Sequence, residues 1–282
     1  MPRSQEQPKQ PWAAQHAGPD SPQTAAGHRS TWPRPLESRG ALVTGAAGDI
    51  GHAIATALAD AGADLIVTDR NTHLLGDRAG ELRSRGAYAG IIPADLTRPG
   101  AIGYVLEETS DRLEHLDIVV NAAGVCRAVA PERLTGRLWR ETMAVNLETP
   151  AQICTAAAPY LRSRGGGSIV NIASVSGLCA FPGAAHYAAS KAELIALTLA
   201  LAAAWHRDGI RVNALCPGWT RTGMTRTLWT SPDLSSTVLE HVPLGRWAAP
   251  EEIADAVLFL LTDAAAHLTG TVLTADGGLL AV

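Results

Sequence analysis

From Gly40 onward the chain alternates short apolar runs with longer helical stretches, and this rhythm restricts the possible fold more than any other feature. Ala41-Leu42-Val43 leads into an alanine-rich helical segment over residues 52–61. Leu65-Ile66-Val67 leads into a polar helix over residues 74–85, and the run 87–92 into a helix ending near Leu113. Further strands are expected at residues 117–120, 168–172, 210–215 and 271–273. Strands separated by helices of about ten residues or more imply right-handed crossovers and a parallel sheet covered on both faces. The expected fold is therefore an α/β Rossmann domain, a doubly wound sheet of about seven strands, with ligands bound at the carboxyl ends of the strands.

The 282 residues, 46% hydrophobic and 18% charged, suit a single domain. A net charge of -4 gives no basic field for nucleic acid or an acidic membrane surface, so small-molecule chemistry is expected. No run approaches about 18 consecutive apolar residues, which argues against a spanning helix. Cys126, Cys154, Cys179 and Cys216 are scattered without a C-x-x-C pair, and they read as reduced thiols of a cytoplasmic protein. No His, Cys or Asp cluster has metal-ligand spacing. Residues 1–39 carry seven of the 17 prolines and read as a disordered extension, leaving residues 40–282 as the folded domain. Residues 219–247 interrupt the strand–helix rhythm and hold Trp219, Trp229 and Trp247, and are expected to form a lid over the substrate.

The first strand runs through Thr44-Gly45-Ala46-Ala47-Gly48-Asp49-Ile50-Gly51 directly into a helix. Glycines let backbone approach a pyrophosphate, and a helix N-terminus offers it free N–H groups. Asp49 is awkward there, because a carboxylate repels a pyrophosphate; its side chain is expected to point away as a helix cap. Asp69, at the end of the second strand and 18 residues after Gly51, suits the two hydroxyls of an adenosine ribose. It would repel a 2'-phosphate, so NAD is expected over NADP, with Arg70 partly offsetting the preference.

Tyr187 and Lys191 stand four residues apart, on one face of an Ala- and Leu-rich helix. The chain has two lysines, Lys9 and Lys191, against 21 arginines, so a compact ammonium is kept at one place in the folded part. A phenol ordinarily titrates near ~10, and a neighbouring ammonium favours its phenolate. Tyr187 can then exchange a proton with a substrate hydroxyl, which Ser174, just past the fifth strand, could hold.

Together these residues resemble the short-chain dehydrogenase/reductase family, and the likeness runs from Gly40 to the C-terminus. It rests on the loop 44–51, Asp69, Asp95-Leu96, Asn121-Ala122-Ala123-Gly124, Asn146, Ser174, Tyr187-x-x-x-Lys191, Pro217-Gly218 and Asp276-Gly277-Gly278. Within the family the chain looks like the compact branch, similar to 3-oxoacyl-ACP reductase-like and gluconate 5-dehydrogenase-like members.

The resemblance implies an NAD-dependent oxidoreductase acting on CH-OH donors and interconverting a secondary alcohol and a ketone. By it, Ser174 positions the substrate oxygen, Tyr187 transfers the proton, and Lys191 lowers the tyrosine pKa and binds the nicotinamide ribose. Asn146 would hold a water leading to Lys191. Asp95 and Leu96 would flank the adenine, and Asn121, with Ala122 and Gly124, would lie against the adenine-side ribose. Pro217, Gly218, Thr220 and Thr222 would border the nicotinamide carboxamide. A homotetramer or homodimer built through the long central helices is implied as well.

Asp49 departs from the compact pattern T-G-x-x-x-G-x-G, standing at its middle glycine while Gly48 precedes it. The resulting spacing is that of the extended branch, so an epimerase or dehydratase remains an alternative, as does a non-catalytic nucleotide-binding scaffold.

Overall fold

The computed structural model describes residues 34–179 and 181–282. Its elements follow the expected rhythm: β1 Gly40–Thr44, α1 Asp49–Asp60, β2 Asp64–Thr68, α2 Thr72–Ser84, β3 Ala89–Ile91 and α3 Ala101–Arg112 form the first half. The second half runs β4 Ile118–Asn121, α4 Gly136–Met143, α5 Thr149–Ser163, β5 Gly167–Ile172, α6 Ala185–Trp205 and β6 Ile210–Pro217. It closes with α7 Arg226–Trp229, α8 Pro232–Leu239, α9 Pro250–Leu261 and β7 Val272–Ala275.

All seven strands pair in parallel in the order β3-β2-β1-β4-β5-β6-β7. The order reverses between β1 and β4, and a crevice at the carboxyl ends of these strands follows from that reversal. Successive side chains of β1 point to opposite faces, so Ala41 and Val43 join the apolar layer under α1 and α9. Leu42 joins the layer under α3 and α5. Both layers are buried and apolar, which explains why the strands read as continuous apolar runs instead of alternating ones.

α6 is long and apolar enough by composition to cross a membrane, with a mean hydropathy of 1.4 over its best window. It is nevertheless a sheet-packed helix: its buried face carries Leu194, Ile195 and the ammonium-bearing Lys191.

Residues 34–39, expected within the N-terminal extension, pack on the domain. They form a turn laid against the α1–β2 connection, with Leu36 N–H donating to the Ala61 carbonyl at 3.0 Å and Asp64 N–H to that of Arg39 at 2.9 Å. The Leu36 side chain, 2% exposed, belongs to the same apolar layer as Ile54 and Leu58. Proline richness concealed this one apolar anchor. The expected disorder of residues 1–33 falls outside the described residues. Leu36→Ala should lower the unfolding free energy by about 2–4 kcal/mol, measured by urea denaturation; a change below about 0.5 kcal/mol would show the turn to be peripheral.

Candidate active site

β1 delivers the chain into a turn that only glycine can make at its first position. Gly45 has φ +67°, and a Cβ there would sit 2.5 Å from the Ala123 nitrogen. The loop after β4 thus lies directly on the loop after β1. Thr44 Oγ1 holds the two together, accepting the N–H groups of Ala122 at 3.2 Å and Ala123 at 3.3 Å. At Gly51 a Cβ would meet the Gly45 carbonyl oxygen at 2.2 Å, which brings α1 down onto the loop.

α1 begins at Asp49, with Gly48 as its N-cap and no side-chain cap. The N–H groups of Asp49, Ile50 and Gly51 therefore lack helical partners and carry the positive end of the helix dipole. An uncapped helix terminus beside bare backbone is a fitting cradle for a dinucleotide pyrophosphate. Asp69 braces the cradle, its carboxylate accepting Ala47 N–H at 3.3 Å and Asn71 N–H at 2.9 Å. Arg70, beyond it, is exposed.

Asp49 corrects its expectation. It is not a cap: its Oδ2 accepts the N–H of Gly223, in the segment after β6, at 2.6 Å, while Oδ1 lies 3.8 Å from Arg78 of α2.

The chemistry-bearing side chains meet at the ends of β4, β5 and α6. Lys191 is 3% exposed and donates to the Ile172 carbonyl at 2.7 Å, with its nitrogen 5.7 Å from the Tyr187 ring centre. A Cβ on Gly124 would lie 3.6 Å from both Lys191 Nζ and Asn146 Oδ1, so the loop after β4 closes over the ammonium. Ser174 caps a turn by accepting Ser176 N–H at 3.1 Å, and its hydroxyl is near enough to Tyr187 to favour the phenolate.

Burial outweighs the expected lowering of the tyrosine pKa. Desolvation pushes Tyr187 up to about 12, opposed by the Ser174 hydrogen bond, and pushes Lys191 down to about 8. The groups facing Lys191 electrostatically are the Cys216 and Cys126 thiols, which offer no carboxylate to compensate the buried charge. At neutral pH the tyrosine is held as the phenol.

Several other expected site residues turn inward. Asn146 sits in a single π-turn, residues 144–148, between α4 and α5. Its amide grips Val125, accepting the N–H at 2.8 Å and donating to the carbonyl at 2.9 Å, and it also donates to Ser190 Oγ at 3.1 Å. Both amide protons are therefore spent on bracing, and one Oδ1 lone pair is left for a water.

Asn121, expected against the ribose, points into the interior and donates to Asn171 Oδ1 at 2.8 Å; Asn171 in turn donates to Thr198 of α6 at 2.9 Å. Leu96, expected at the adenine, is 8% exposed and packs in the layer under α3. Asp95 spends its carboxylate on Thr97, whose hydroxyl holds the Asp95 pKa down.

Pro217 is buried at the end of β6, and Gly218 is obligatory next to it, since a Cβ there would meet the Asp276 Cα at 2.6 Å. Thr220 bonds back to the Gly218 carbonyl, and Thr222 pairs with Thr225. Beneath this segment Phe181, Trp219 and Trp247 stack edge to face, with ring centres 5.4 and 5.6 Å apart.

Gly177 escaped the sequence reading. A Cβ there would lie 2.8 Å from the Lys191 carbonyl carbon, so this glycine lets α6 close on the Ser174 turn. Its place three residues after Ser174 was the available signal.

A family model described as enoyl-(acyl carrier protein) reductase matches residues 45–280. The chain is similar to galactitol 2-dehydrogenase (L-tagatose-forming) of Cereibacter sphaeroides, 40% identical over 86% of this chain and 95% of that one. It is also similar to D-threitol dehydrogenase of Mycolicibacterium smegmatis, 36% identical over 86% of this chain and 93% of that one. Among solved structures, gluconate 5-dehydrogenase from Burkholderia cenocepacia, in complex with NADP and tartrate, matches with a TM-score of 0.84 at 33% identity. That match covers 88% of this chain and 98% of the other.

The buried ammonium has a measurable cost in the free protein. Lys191→Met should stabilise it by about 1–2 kcal/mol at pH 7, the relieved burial penalty less one hydrogen bond. The difference should shrink as pH rises above about 8, where the native lysine is neutral while the unfolded one still holds its proton and native stability rises. Urea denaturation at pH 7 and pH 10 checks this; a destabilised Lys191→Met at pH 7 would contradict the assigned burial cost.

Proposed function

Because the chain belongs to the short-chain dehydrogenase/reductase family, we propose that it is an NAD-dependent dehydrogenase interconverting a secondary alcohol and a ketone. The observation that carries this reading is the convergence of Ser174, Tyr187 and Lys191 beside the phosphate cradle, at the carboxyl edge of the sheet.

When bound, the nicotinamide cofactor takes up or supplies the hydride. The protein's own groups handle the proton and the oxygen. Ser174 Oγ–H donates to the substrate oxygen and fixes the carbinol or carbonyl against Tyr187. Tyr187 Oη gives its proton to the oxygen on reduction and receives it on oxidation. A phenol held neutral by burial is loaded for the first direction. Lys191, charged below a pKa of about 8, lowers the cost of the phenolate that forms on proton release. The π-turn at Asn146 keeps the Val125 backbone in place over the ammonium.

Asp69 supports NAD over NADP. Its carboxylate accepts two backbone N–H groups, which favour the orientation that opposes a 2'-phosphate. The NADP-bound relative makes the preference a matter for measurement, and exposed Arg70 is the residue that would favour NADP.

For the substrate, the relatives named for galactitol, threitol and gluconate favour a polyol or sugar-acid carbinol. The segment 219–247, over its aromatic stack, serves as the substrate lid. A homodimer or homotetramer through α5 and α6 is part of the same reading, supported by the apolar outer face of α6, where Leu199 is 44% exposed.

Absorbance at 340 nm should rise when the enzyme meets NAD and one of galactitol, threitol or gluconate; no turnover across these and a wider alcohol and ketone panel would sink the reading. Tyr187→Phe should lower kcat by at least about 100-fold and leave cofactor affinity, measured by calorimetry, nearly unchanged. Asp69→Ala should narrow the ratio of NAD to NADP affinity, and an unchanged ratio would remove Asp69 from ribose recognition.

A further inference from the structure

Asp49 stands where the compact pattern has glycine, and its side chain crosses from the phosphate loop to a segment 174 residues away. Gly223 N–H donates to Asp49 Oδ2 at 2.6 Å. Gly223 lies inside a knot that holds itself together. Thr225 Oγ1 donates to the Thr220 carbonyl at 2.6 Å and accepts Thr222 N–H at 3.1 Å, while Trp229 Nε1 donates to the Thr222 carbonyl at 3.0 Å. A pull on Gly223 therefore moves residues 220–229 together.

On the other side the carboxylate is steadied by Arg78, 3.8 Å away, which also faces Glu81 at 3.7 Å; Glu81 in turn meets His52 at 2.9 Å. These contacts draw the carboxylate away from the uncapped α1 terminus, where a pyrophosphate would otherwise share the space with it.

We propose that Asp49 is a positioning residue that clasps the lid to the phosphate loop and thereby slows departure of the cofactor. The proposal rests on the nicotinamide-dependent reading of the site. The hydrogen bond from Gly223 N–H to the Asp49 carboxylate joins the loop after β1 to the segment after β6. Release of a bound dinucleotide requires the lid segment to part from the loop, so the bond must break first. Asp49 exerts this control without touching the reacting atoms.

The test compares the full-length protein with D49A and D49N. Hydrogen exchange at the Gly223 region is measured without cofactor, and NADH dissociation by stopped-flow fluorescence. D49A should exchange faster there and release NADH about tenfold faster, the equivalent of one hydrogen bond to a charged group. D49N keeps an acceptor oxygen and should stay within about threefold of the natural protein. Unchanged exchange and release in D49A overturns the clasp, and so does a D49N protein as fast as D49A. If the natural protein fails to bind NADH, the functional reading falls, while the cofactor-free exchange still decides whether the clasp exists.

Discussion

A single ammonium buried at the sheet's carboxyl edge is the constraint around which the rest of the site is arranged. Lys191 has one backbone carbonyl, Ile172, as its direct partner and two thiols as its electrostatic neighbours. Placing a charge there costs free energy that hydrophobic packing elsewhere must offset. The fold answers by closing several elements around it. β5 ends at the carbonyl that Lys191 needs, the Ser174 turn presses on α6 through Gly177, and the loop after β4 is fixed over the ammonium by Asn146. The ammonium and the phenol are two groups whose titration burial has driven in opposite directions.

Much of the cleft is made of backbone. Gly45, Gly51, Gly177 and Gly218 each sit where a Cβ would collide with another main chain, so strand ends and helix starts come closer than side chains permit. Such contacts leave N–H groups as the natural recognition surface for an anionic ligand and few side chains to do it. Asp69 belongs to the same economy, since it shapes the loop through backbone N–H groups.

The residues that turned inward form a second framework. Asn121, Asn171 and Thr198 make a buried hydrogen-bonded chain from β4 through β5 to α6, and Asn146 with Ser190 makes another from the β4 loop to α6. Each links the strand ends to the helix that carries Tyr187 and Lys191, so polar groups inside the domain set the site's geometry as firmly as its apolar layers do.

Sequence alone determined the parallel doubly wound sheet, because apolar period and helix length are local properties that survive without neighbours. It also singled out the glycine turn after β1 and the grouping of Ser174, Tyr187 and Lys191, whose proposed roles rest on the combination of residue types and on the family likeness. The anchoring of Leu36, the π-turn under Asn146, the inward rotation of Asn121 and Leu96, and the reach of Asp49 to Gly223 were decided by tertiary structure alone. Each depends on which distant backbone atom lies opposite a side chain, and no local pattern encodes that. The balance of protonation between Tyr187 and Lys191 belongs to the same class, since desolvation exists only once the chain has closed around them.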